Sequence, residues 1–197
     1  MIEDIFVSVD CETSGPYPGC HALLAIGAVL VARRGATWEA LGDYYDEWAP
    51  PPDAEEDPAA TRVHGLDLAK LRAQGSPPDR AAESFAAWVA EGGPGRRVFV
   101  GYNAAFDWAF ILHAFGLAGV GNPFHHAPLD IKAAIWGLHG GAWRTGSNGD
   151  ALVRATGRPL PTRPGLRPHH ALDDARAQAD MLVRVLEHLS TREAEAH

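Results

Sequence analysis

Cysteine is almost absent from the chain: among 197 residues there are two, Cys11 and Cys20. Two thiols make no disulfide framework, and they point to a reducing compartment. Long apolar runs are missing as well. No stretch approaches the ~20 residues a membrane-spanning helix needs, and the opening MIEDIFVSVD is acidic then strand-like, unlike a secretory leader. Basic charge is in deficit: 17 Lys+Arg stand against 25 Asp+Glu, a net charge of −8. Proteins that hold long duplexes by releasing counterions are usually basic, so the balance argues against that role. It leaves room for a site that gathers carboxylates around divalent metals and meets phosphates through them. The chain has no G-x-S-x-G, Walker A or H-E-x-x-H pattern, and Cys11, Cys20 and His21 lack zinc-finger spacing.

What is present describes an ordinary globular protein, 46% hydrophobic and 21% charged. The expectation is a cytoplasmic protein with one domain over residues 1–190 and a flexible tail over 191–197. Ile5–Cys11 and the apolar run Leu24–Ala32 read as strands, and Trp38–Trp48 as a third that closes an antiparallel meander. Between the first two, SGPYPG must turn. Short helices are expected at Pro58–His64 and Leu66–Ala73. A longer helix capped by Asp79 carries Ala82, Phe85, Trp88 and Val89 on one face and ends at the GGPG run. A strand at Arg97–Tyr102 leads to a helix at Ala104–Phe115, and a strand at Pro128–Ile131 to one near Lys132–Leu138. Asp150–Thr156 is a further helix, and His170–Leu189 a long amphipathic one. Strands first, then helices alternating with shorter strands, indicate an α/β fold with a mixed sheet.

Three places concentrate chemistry. In VDCETSG, Asp10 and Glu12 are two apart on a strand and so share a face, with Cys11 turned to the other. Adjacent carboxylates repel unless a cation joins them, and oxygen ligands suit Mg²⁺ or Mn²⁺. In YNAAFDWAF, Asn103 is placed to cap a helix that carries Asp107 among apolar neighbours. In HHALDDARAQAD, His169 precedes a helix and Asp174 lies in its second turn, while Asp173 points roughly 100° away. Each has a plainer explanation: a polar strand end, a polar stripe on a buried helix, an acidic first turn favoured by the helix dipole.

Taken in order, strand-borne D-x-E, then N-x-x-F-D, then H-x-A-x-x-D, the chain resembles the DnaQ-like DEDDh 3′–5′ exonuclease family, related to the proofreading exonuclease of DNA polymerase III and to RNase T. VHG at 63–65 and PLDIK at 128–132 also look like family segments. The resemblance implies a ribonuclease-H-like fold, a mixed β-sheet flanked by α-helices. It implies that Asp10, Glu12, Asp107 and Asp174 hold two divalent ions, Mg²⁺ or Mn²⁺, with His169 rather than His170 as general base. The reaction implied is hydrolysis from the 3′ end of single-stranded DNA or RNA, releasing 5′-monophosphates. Tyr102 departs from the pattern, since many members carry His before the Asn.

For the substrate, the candidates are Thr13, Asn103, Phe106, Arg163 and Arg167. Arg154, Arg158, Arg163 and Arg167 fall in an acid-free run that leads to His169, placed to guide phosphates or else lying on a solvated loop. Tyr17 and Phe106 are candidates to stack on a base, and Trp108 to line the site; the remaining tryptophans are expected to serve packing. Two other readings stay open, a catalytically silent nucleic-acid-binding or polymerase-accessory subunit and a phosphodiesterase on small nucleotides. A homodimer is also left open, and no membrane association is expected.

Overall fold

The computed structural model describes residues 4–91 and 93–195. Five strands form one sheet in the order β3-β2-β1-β4-β5: β1 (Asp4–Thr13), β2 (Leu23–Arg34), β3 (Thr37–Glu47), β4 (Arg96–Gly101) and β5 (Leu129–Asp130). The meander β1-β2-β3 is antiparallel, whereas β4 pairs parallel to β1 and β5 parallel to β4. The expected mixed sheet flanked by helices is therefore present. Eight helices are described: α1 (Pro58–His64), α2 (Leu68–Gln74), α3 (Pro78–Glu91), α4 (Ala104–Ala118), α5 (Ile131–His139), α6 (Trp143–Gly146), α7 (Gly149–Thr156) and α8 (Ala171–Glu195). Among the described residues no helix is long and apolar enough to cross a membrane.

The sheet is apolar on both faces, so β2 reads as one continuous hydrophobic run. On one face Ile5, Val7, Val9 and Cys11 of β1 join Ile26, Ala28 and Leu30 of β2 against Phe85 of α3 and Phe110, Ile111 and Phe115 of α4. On the other, Val29, Val31 and Val100 meet Ile131 and Ile135 of α5, Leu152 of α7 and the row Ala175, Ala179, Leu182 of α8. That row is small at the helix's N-terminal end, and the strands beneath it are small too. The Ser8 hydroxyl donates to the Ala175 carbonyl at 3.0 Å. A methyl group at Gly27 would lie 2.2 Å from backbone atoms of Ala171 and Leu172. Glycine at position 27 thus lets α8 lie directly on the sheet, one strand away from Asp10, whose register partner it is.

Several boundaries differ from expectation. Helix α8 continues to Glu195 instead of ending at Leu189, so residues 191–195 extend it where a tail was expected; residues 196–197, like the first three, lie outside the described residues. Pro78 opens α3, and Asp79 sits in its first turn instead of capping it, because proline already fits the first helical position. The expected helix stop GGPG begins at Gly92, also outside the described residues. The strand expected at 128–131 shrinks to two residues. Its Asp130 ends the pairing by becoming the N-cap of α5, accepting from the Ala133 amide at 2.9 Å. Helix α6 was not foreseen.

Candidate active site

Strand β1 ends at the site. Asp10 and Glu12 project from the α8 side of the sheet while Cys11 is buried among the α3/α4 residues, as alternation along a strand demands. Helix α8, brought close over Gly27, delivers Asp174 from its second turn. A carboxylate oxygen from each of Asp10, Glu12 and Asp174 lies within 4.8 Å of the others. The fourth acid, Asp107, reaches over from the opposite layer and is buried. Its Oδ1 accepts the Cys11 amide at 3.0 Å, which fixes it between the two β1 acids without placing it in the tight trio.

This concentration of negative charge is visible in the acidities. Burial, then the neighbouring Asp107, Glu12 and Asp174, raise Asp10 well above the carboxylate range. Burial and the charges of Asp174 and Asp107 lift Glu12 to about 7. Burial lifts Asp107 to about 7, and burial also raises Asp174. Among the described residues no Lys or Arg pairs with any of the four. Hard oxygen donors that repel one another and have no protein cation beside them fit divalent ions.

The two histidines separate clearly. His170 is held by its neighbours: its ring stacks on Tyr45 at 4.7 Å, and its Nε2 lies 2.7 Å from Arg167 Nη2. His169 is exposed, with φ of 60°. Its backbone N–H donates to Asp174 Oδ2 at 2.8 Å, and its ring makes no hydrogen bond among the described residues. Asp173 points elsewhere, as expected, and pairs with Arg167 and Arg176.

Two residues that hold the site were missed from the sequence. The Gln178 side chain donates from Nε2 to Asp10 Oδ1 at 2.6 Å and accepts the Tyr102 amide on Oε1 at 3.1 Å. Its position one turn after Asp174 on the same helix face was the available signal. Asp130 is the second. It caps α5 and also accepts the Ala104 amide at 2.9 Å, so one carboxylate ties two helix starts together. It takes the role expected of Asn103, which occupies the N-cap position of α4 in a left-handed conformation with no side-chain capping bond.

The other candidates are placed as follows. The Thr13 hydroxyl donates to the Gly15 carbonyl at 2.9 Å, so it braces the loop after β1. Phe106 is half-buried and packs on Phe110 at 5.1 Å; Tyr17 is 66% exposed. Trp108 does not line the site: it packs on Phe99 and Phe124 in the core. The arginine run is tethered. Arg163 chelates Asp180 on α8, Arg167 pairs with Asp173 at 3.0 Å, Arg158 with Glu187 at 3.1 Å, and Arg154 donates to His139 and the Thr145 carbonyl. Gly65 of the VHG segment is the left-handed C-cap of α1.

A mixed sheet with helices on both faces is a ribonuclease-H-like fold, and here two carboxylates end its central strand with one more from a helix on either side. Comparison with known proteins gives the same answer. The exonuclease family model RNase_T matches residues 7–182. A 3′-5′ DNA exonuclease, Cap18 of Escherichia coli, is 36% identical over 193 residues, covering 96% of this chain and 95% of that one. Ribonuclease T of Yersinia enterocolitica (serotype O:8, biotype 1B) is 33% identical over 141 residues, 67% of this chain and 64% of the relative. The chain belongs to this exonuclease family, in its DnaQ-like DEDDh branch, and is a metal-dependent 3′–5′ exonuclease. Among solved structures, the nuclease domain of 3′hExo, a DEDDh family member bound to rAMP, superposes with a TM-score of 0.72 at 15% identity, covering 93% of this chain and 92% of that one. E. coli Exonuclease I in complex with a dA16 oligonucleotide does so at 0.66 and 17% identity, covering 93% of this chain and 41% of that one.

Proposed function

We propose that this exonuclease shortens single-stranded DNA from its 3′ end, with Asp10, Glu12, Asp107 and Asp174 holding two divalent ions, Mg²⁺ or Mn²⁺, and His169 as general base. The observation that carries the reading is the carboxylate trio of Asp10, Glu12 and Asp174 within 4.8 Å, with the exposed ring of His169 attached through its own backbone to one member. DNA is preferred to RNA as substrate because the relative similar over nearly its whole length is a DNA exonuclease. The two unpaired cysteines favour the cytoplasm.

When bound, the ions supply charge neutralisation for the phosphodiester and activation of the attacking water. The protein's own residues do the rest. Gln178 fixes the rotamer of Asp10, and the Cys11 amide that of Asp107, so the donor oxygens are set before substrate arrives. His169 takes the water's proton on a ring nitrogen as the oxygen bonds to phosphorus. The P–O3′ bond breaks, the 3′ oxygen of the penultimate nucleotide takes up a proton, and a nucleoside 5′-monophosphate leaves. All five chemical positions are filled, which speaks against a silent binding subunit.

The test is digestion of matched 5′-labelled single-stranded DNA and RNA oligomers with Mn²⁺. A ladder shortening from the 3′ end is expected, faster on DNA. Asp174→Ala should abolish it, and His169→Ala should slow it by ~10²–10⁴-fold. Full activity in Asp174→Ala overturns the ligand assignment; faster loss of RNA overturns the choice of sugar.

A further inference from the structure

The tryptophans of α5 and α6 were expected to serve packing, yet they stand on the surface. Trp136 is 44% exposed and Trp143 50%. Their rings meet edge to face at 6.0 Å with an interplanar angle of 65°, and the Trp136 indole N–H donates to the Gly141 carbonyl at 2.9 Å. That bond satisfies the polar atom of Trp136 internally and leaves its ring faces to make other contacts. Gly146, the last residue of α6, is buried so tightly that a methyl group there would lie 2.2 Å from the Gly140 carbonyl oxygen and 3.3 Å from Trp136. The pair is therefore held by a closely packed turn.

Charge accompanies the rings. Lys132, one turn before Trp136, places its ammonium 5.4 Å from the Tyr102 ring and 5.5 Å from the Trp143 ring. Arg144 follows Trp143 and is exposed. Neither cation forms an ion pair among the described residues, in contrast to Arg158, Arg163 and Arg167 further along the chain. From Ile131 to Gly149 the sequence has no acidic residue, in a chain of net charge −8.

The face is also joined to the site. Tyr102 hydrogen-bonds through its hydroxyl to the Ser147 carbonyl, just beyond α6, at 3.0 Å, and through its amide to Gln178, which holds Asp10. The residue that departs from the family pattern is thus the one that links the aromatic face to the catalytic carboxylates.

Resting on the exonuclease reading above, we propose that the Trp136–Trp143 face, with Lys132 and Arg144, is a stacking platform for the single-stranded DNA that leads 5′ from the reacting phosphodiester. Exposed aromatic rings flanked by unpaired cations are what an unpaired strand requires: bases stack on the rings and phosphates meet the cations. A protein partner would not call for the uncompensated positive charge beside an acidic site. The platform acts only on substrates long enough to reach it.

The experiment compares 5′-fluorescein dT2 and dT12, by anisotropy with Ca²⁺ in place of Mn²⁺ and by turnover with Mn²⁺. Trp143→Ala and Trp136→Ala should each weaken dT12 binding roughly 5- to 100-fold and leave dT2 unchanged. Trp136→Phe and Trp143→Phe should recover most of the loss. Unchanged dT12 affinity in both alanine variants, an equal loss on dT2, or wild-type protein that binds dT12 no better than dT2 overturns the platform. Wild-type protein that binds dT12 through the tryptophans but hydrolyses nothing would keep the platform and remove the exonuclease reading. Active wild type with equally active alanine variants would do the reverse.

Discussion

Replacing Gly27 by alanine would drive a methyl group to within 2.2 Å of backbone atoms of Ala171 and Leu172. Ordinary contact starts near 3.4 Å, and backbone at the start of a docked helix cannot swing aside as a flexible side chain can. Helix α8 would have to lift by about 1 Å at its N-terminal end, the end that carries Asp174. Overpacking of this kind costs about 1–3 kcal/mol, and for a chain of this size each kcal/mol lowers the melting temperature by about 2–4 °C. A fall of about 2–12 °C is therefore expected. The catalytic loss should be larger in proportion, because a displacement of about 1 Å in a positioned group can cost ~10²-fold in rate. The assay pairs a thermal melt with Mn²⁺-dependent digestion of a labelled oligomer. Gly42→Ala on β3, where an added methyl meets nothing within 4 Å, serves as the control and should match wild type in turnover. Wild-type melting and turnover in Gly27→Ala would refute the claim that α8 lies against the strand there. A less stable variant with undiminished turnover would refute the claim that this close approach sets Asp174.

The acidities give a signed expectation for the metal-free protein. Asp10, Glu12, Asp107 and Asp174 all titrate higher folded than unfolded, with Glu12 and Asp107 near 7. The folded state therefore binds more protons between about pH 4.5 and 7, and this contribution to stability is lost as pH rises through that window. In chelator, the melting temperature should fall by several degrees from pH 5.5 to 8, and added Mn²⁺ should raise it more at pH 8 than at pH 6; an equal Mn²⁺ shift at both would contradict the shared carboxylate cluster. Asp130→Ala should cost about 1–3 kcal/mol by uncapping α4 and α5 together, and Asp130→Asn less; a loss no larger than that of one ordinary cap would show that the bond to Ala104 carries nothing.

The strands and helices that bury their own pattern were legible in the sequence. The continuous apolar β2, the i, i+2 acids of β1 and the Ala–Leu row of α8 are local periodicities that survive into the structure. Strand β5 was harder, because its two residues are strand only through pairing with Val100 and Gly101. Asp130 was hidden for a related reason, since one of its two partners is an amide 26 positions away. The arginine run showed its charge but not its partners, which wait on α8. The exposed tryptophans were misjudged because aromatic content predicts burial on average, while a single-turn α6 leaves little to cover them.

Asp10 and the glutamine that holds it are 168 positions apart, with Asp174 nearly as distant. During synthesis the chain grows from its N-terminus at about 5–20 residues per second, so roughly 10–30 s pass between the first pair of acids leaving the ribosome and the last one joining them. Throughout that interval the nascent polypeptide carries only part of the carboxylate cluster. The order of the elements along the chain works as a delay: the carboxylates of β1 meet Asp174 only when α8 docks.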